Sequence, residues 1–62
     1  MYKNYEKLLK KHKTTSYQVA KATGVAQATL SDWKSGRSTP KIDKLMKIAE
    51  YFGVDVSVLI KK

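Results

Sequence analysis

Apolar residues recur at helical spacing along nearly the whole chain. Tyr5, Leu8, Leu9 and His12 follow the i, i+3, i+4, i+7 spacing of one helix face, with Lys7, Lys10 and Lys11 on the others. This predicts a first helix over residues 5–12, capped by Asn4. A second helix starts after Thr15. Thr15-Ser16-Tyr17-Gln18 fits a capping box, in which the hydroxyl accepts a backbone N–H and Gln18 reaches back. Val19, Ala20 and Ala22 give this helix a face of small residues, and Gly24 closes it. After the turn Gly24-Val25-Ala26, a third helix is expected over 27–35, with Gly36 as its stop. Thr39-Pro40 signals the next start, since a proline is tolerated in a first turn. The fourth helix, 42–52, is the most amphipathic, with Ile42, Leu45, Ile48, Ala49 and Phe52 along one side and Gly53 after it. Asp55 can cap a short fifth helix running through Ile60. Only Val54, Val56 and Val58 alternate as a strand would.

The chain is therefore expected to be all-α, five helices, in a single domain over 1–62. A chain of 62 residues cannot enclose a large active-site cavity beside its own core. There is no Cys, which excludes disulfides and thiolate metal sites and suits a reducing cytoplasm. No apolar run is long enough to span a bilayer, and the first residues lack the apolar core of a signal peptide. Thirteen Lys and Arg against five Asp and Glu leave a formal charge of +8. On so small a body this favours a polyanionic partner, nucleic acid before an anionic membrane.

One helix ending in Gly24, a three-residue turn and a second helix reproduce the spacing of a helix-turn-helix unit. Ala20 falls where the two helices cross, and a larger side chain there would hold them apart. Val25 and Leu30 plug the corner, and Trp33 lies on the same inward side. The stretch Tyr17-Gln18-Val19-Ala20-Lys21-Ala22-Thr23-Gly24-Val25-Ala26-Gln27-Ala28-Thr29-Leu30-Ser31-Asp32-Trp33-Lys34-Ser35-Gly36 resembles the helix-turn-helix of the phage repressor and Cro class. Pro40, Leu45, Ile48-Ala49, Phe52-Gly53-Val54 and Leu59 are similar to the fourth and fifth helices of the same family, so the resemblance covers roughly 5–60. It implies a compact five-helix domain that binds double-stranded operator DNA as a homodimer and controls transcription, most often as a repressor.

With Leu30 and Trp33 inward, Gln27, Ala28, Ser31 and Asp32 face outward at i, i+1, i+4 and i+5. By the resemblance, Gln27, Ala28 and Asp32 occupy the family's main base-reading positions. Gln27 can bond adenine N6 and N7, Ala28 can pack on a thymine methyl, and Asp32 can accept from cytosine N4 or else order Lys34 or Arg37. Ser31 can donate or accept. Phosphate contacts are expected from the start of the second helix, at Thr15, Ser16 and Tyr17. Thr29 and Lys34 on the third helix, Ser35 and Arg37 in the loop after it, and Lys41 complete that set, with Lys10, Lys13 and Lys44 as looser candidates. The sequence departs from the family at four places. Ser16 stands where Gln is frequent, Thr14 where an apolar residue is common, and Leu9 where a basic one is common. Ala26 stands where Ser or Thr caps the third helix, and it cannot do so.

The remaining chemistry is structural. His12 is the sole His and has no acidic neighbour in sequence, so neither a metal site nor a general base is expected, and no cofactor. Tyr2, Tyr5, Tyr17 and Tyr51 are scattered and form no stacking platform, and the Lys61-Lys62 end is expected to be solvated or to start a tail. An enzyme lacks its nucleophile–base or carboxylate pair. A protein-interaction role on the same fold, as an antitoxin or coactivator, would want Trp, Tyr or Arg on the outer face of the third helix. Val56, Val58 and Ile60 leave apolar area on the fifth helix, which is expected to carry the dimer surface.

Overall fold

The structure, a computed structural model, describes residues 1–61; Lys61 is exposed, and the expectation for Lys62 lies outside the described residues. Five helices follow in order: α1 (Tyr2–Lys11), α2 (Ser16–Thr23), α3 (Gln27–Ser35), α4 (Ile42–Phe52) and α5 (Val56–Ile60). No strand forms among the described residues, so the Val54, Val56, Val58 alternation ends up in a turn and in α5. The helices enclose one apolar cluster contributed by all five, from Tyr5 and Leu8 through Val19, Leu30, Trp33, Ile48 and Phe52 to Leu59. Every buried side-chain polar atom among the described residues has a hydrogen-bond partner.

The helix ends follow their local chemistry. Gly24 ends α2 in the left-handed conformation, and its N–H returns to the Ala20 carbonyl at 2.9 Å. The α1 C-terminus has no glycine. Lys13 takes the left-handed position instead, at φ 51°, and the N–H of Thr14 reaches the Leu9 carbonyl at 3.0 Å. This is the same closure that glycine ordinarily supplies, made by a residue with a Cβ, which sequence gives no reason to expect.

Six local expectations are corrected, in four groups. First, α1 begins at Tyr2, so Asn4 is inside the helix rather than its cap. Its side-chain amide instead donates to the carbonyls of Leu59, at 3.3 Å, and Lys61, tying α1 to the end of α5. Second, only half of the capping box forms. Thr15 accepts the Gln18 N–H at 3.3 Å, but the Gln18 side chain accepts from the Thr14 hydroxyl at 2.8 Å. Third, Pro40 is buried ahead of α4 instead of in its first turn, while Ile42 is 57% exposed and Ala22 is exposed. Fourth, Tyr2 and Tyr5 are not scattered. They meet Trp33 and Phe52 in one aromatic cluster, with Tyr5 stacked on Trp33 at a centroid distance of 5.1 Å and meeting Phe52 edge-on at 6.1 Å. The cluster belongs to the interior.

At α5, the Asp55 carboxylate accepts the Ser57 N–H at 2.9 Å, which holds its pKa below the ordinary 3.8. A depressed folded pKa contributes stability above the unfolded value and loses it as pH falls through the folded one. The melting temperature of the wild type should therefore fall more steeply with acidification below about pH 3.8 than that of Asp55→Asn, which caps without titrating. Parallel melting curves would contradict this role.

Candidate nucleic-acid interface

The interface is built on the turn between α2 and α3. Val25 buries its side chain at the corner, 2% exposed, and Leu30 and Trp33 bury the inner side of α3. A helix turning 100° per residue then presents the opposite side to solvent. Gln27, Ala28 and Ser31 are exposed there, and Asp32 and Thr29 are half-buried. The outward placement expected for the first three is what the structure has.

The N-terminus of α2 lies beside this face. Tyr5 is fully buried, but its hydroxyl reaches the Ser16 Oγ at 2.8 Å. Burial pushes the Tyr5 phenol up, and the bond to Ser16 pulls it partly back. The Ser16 hydroxyl is thus shared with the core, and beside it α2 presents its first-turn N–H groups to an anion. Tyr17, next along, is exposed. The α2 start, α3 and α1 flank a cleft of about 400 Å³ that brings Thr15, Ser16, Gln27, Ser31 and Lys34 together. Tyr2, Glu6, Leu9 and Thr14 line the same cleft. Sequence reasoning did not find Glu6 or Tyr2 there. Their only signal is helical phase with Leu9, which means little until α1 is known to start at Tyr2.

The other candidates lie outside this cleft. Asp32 closes the end of α3: its carbonyl accepts the Arg37 N–H at 2.9 Å and the Ser35 hydroxyl at 3.0 Å. Its carboxylate stands 3.9 Å from the Arg37 guanidinium. With these side chains 41% and 79% exposed, the pair is a weak, solvent-screened one. Gly36, at φ 79°, makes the reversal that carries Arg37 back over the helix end. Lys41 is exposed and stands at the N-cap of α4, with no side-chain cap bond. Lys10 and Lys13 are exposed, as is Lys34 at the cleft, whereas Lys44 is half-buried.

The helical order, the glycine-closed turn and the solvent-facing α3 define a helix-turn-helix domain. The chain belongs to the Cro/C1-type helix-turn-helix family, whose model, described as Helix-turn-helix, matches residues 6–59. That family is one of DNA-binding regulatory domains. Neither the curated proteins nor the solved structures hold a significant match to the chain. No helix among the described residues is long and apolar enough to cross a membrane.

Ala26 takes the extended N-cap conformation of α3, φ −61° and ψ 137°, but makes no side-chain cap bond. Ala26→Ser should supply that acceptor and stabilise the domain by about 0.5–2 kcal/mol, read as a higher melting temperature. An unchanged or lower one would show that the α3 N-terminus has no need of a cap.

Proposed function

We propose that the protein is a sequence-specific, double-stranded-DNA-binding transcriptional regulator, acting as a repressor, that inserts α3 into the major groove. The supporting observation is the pairing of an exposed α3 face, carrying Gln27, Ala28 and Ser31, with the adjoining α2 N-terminus across one cleft. Side chains on the face read base edges, and helix N-termini hold phosphates. Gln27 reads adenine, Ala28 packs on a thymine methyl, Ser31 bonds a neighbouring edge, and Asp32 accepts from cytosine. Thr15, Ser16 and Tyr17 bind phosphate on one side of the groove, Ser16 through its backbone. Lys34, in the same cleft, joins them, and Thr29, Ser35, Arg37 and Lys41 bind it on the other. Asp32 and Arg37 divide the two tasks, so entering the groove exchanges their weak mutual contact for a base and a phosphate.

Repression is steric: an occupied operator excludes polymerase in the cytoplasm where both meet. A homodimer places two α3 helices on half-sites about 34 Å apart. Its surface is α5, where Val58 and Ile60 are 40% and 41% exposed, although Leu59 between them is fully buried. Sedimentation should show a dimer on operator DNA that Ile60→Asp dissociates; a monomer at saturation would end the dimer reading.

On a duplex selected from a random pool, Gln27→Ala should lose about 1–3 kcal/mol at a single base pair and relax the preference there. Arg37→Ala should instead weaken all sequences alike and reduce the salt slope by about one. Unchanged affinity and preference for Gln27→Ala would overturn the placement of α3.

A further inference from the structure

Lys3, Lys7 and Lys11 stand at i, i+4 and i+8 on α1, and all three are exposed. They form one stripe about 12 Å long. The flank of α1 that lines the cleft carries Tyr2, Glu6 and Leu9. At 100° per residue the stripe is turned roughly 130° away from that flank. Asn4, on the far side of the stripe, holds the carbonyls of Leu59 and Lys61, so α5 ends beside it.

Part of this arrangement works against the helix that carries it. Like charges at i, i+4 repel, and Lys3 in the first turn opposes the helix dipole, whereas Lys11 in the last turn favours it. The first turn of α1 has no acidic residue to compensate, and the ion pair found among the described residues, Arg37–Asp32, is elsewhere. Local rules broken without a structural return are expected at functional surfaces. The chemistry of the stripe selects its occupant. It has no Trp, Tyr or Arg to anchor a protein partner and no apolar side chain to enter a lipid surface. It offers regularly spaced, compact ammonium charges, which match a phosphate backbone without reading bases.

We infer that the Lys3, Lys7, Lys11 face of α1 is a second, sequence-independent binding surface for duplex DNA, so that one domain joins two DNA segments. The inference rests on α3 for the first segment. The α1 surface takes a neighbouring or looped duplex.

Energy transfer between donor-labelled and acceptor-labelled short duplexes mixed with the full chain tests this directly, with the otherwise wild-type chain and every variant carrying Ile60→Asp so that no partner protomer holds the second duplex through its own α3. The wild type should bring the two labels together, with a salt slope for bridging near −3 in log–log form, about one per lysine. Lys3→Gln/Lys7→Gln/Lys11→Gln should abolish the transfer and still bind one duplex by anisotropy. It should also melt no lower than the wild type, because two repulsive pairs are gone. The Lys→Arg triple variant should keep the transfer. Transfer retained by the Gln variant, or absent in the wild type, would overturn the proposal. So would displacement of the second duplex by polyglutamate or anionic phospholipid vesicles more readily than by a third duplex. Gln27→Ala separates the two readings: it should weaken single-duplex binding by the Gln variant. Indifference there faults α3, while bridging by the wild type still decides the role of α1.

Discussion

Tyr5 stacks on Trp33 with its ring centroid 5.1 Å away, and the direction in which α3 faces depends on that contact. Trp33 and Leu30 can be buried only if the inner side of α3 lies against the cluster centred on Tyr5, which also meets Phe52 from α4. A short helix has no other way to hide two large apolar side chains, so its remaining side must be wet. The same Tyr5 carries a hydroxyl that bonds Ser16 at the first residue of α2. One side chain from α1 therefore positions both parts of the proposed interface, the exposed α3 face and the helix N-terminus beside it. A buried aromatic with a satisfied polar tip combines packing area with a directional bond, which is why it can set orientation as well as stability.

The sequence made local features legible. Gly24, Gly36 and Gly53 mark the helix ends because the left-handed residue of a closure is decided within a few positions of chain. Helical phase alone put Gln27, Ala28 and Ser31 opposite Leu30 and Trp33. The features that escaped depend on partners far along the chain. Asn4 reads as a cap until α5 is seen to end against it, 55 residues away in sequence at Leu59. Ile42 reads as core by phase, yet nothing covers the first turn of α4, and it stays exposed. Ser16 reads as a free hydroxyl until Tyr5 arrives from 11 residues upstream. Tyr2 and Tyr5 look scattered because their meeting with Trp33 joins α1 to α3 across the fold.

The net charge of +8 is not spread evenly in its effect. Some cations, such as Lys34 and Arg37, sit near the α3 face, where they would accompany the reading of bases. The lysines on the outer side of α1 are turned away from the flank that lines the α2–α3 cleft. A basic protein of this size thus has more than one electrostatic face, and the two differ in kind: the α3 face mixes amide, hydroxyl, methyl and carboxylate groups, whereas the α1 face has ammonium groups alone. Chemical variety is what discrimination between bases requires, and uniform charge is what indifference to sequence requires.

If the α3 face and the α2 start meet DNA together, their backbone amides must respond together. Amide chemical-shift mapping of the folded domain during titration with a selected duplex reports on every helix at once. The largest changes should fall at Gln27, Ala28 and Ser31 and at Ser16 and Tyr17, saturating together, with the buried Ile48 and Ala49 of α4 little moved. Changes confined to α4 and α5, with the Gln27 and Tyr17 amides unmoved at saturation, would contradict a joint α2–α3 interface.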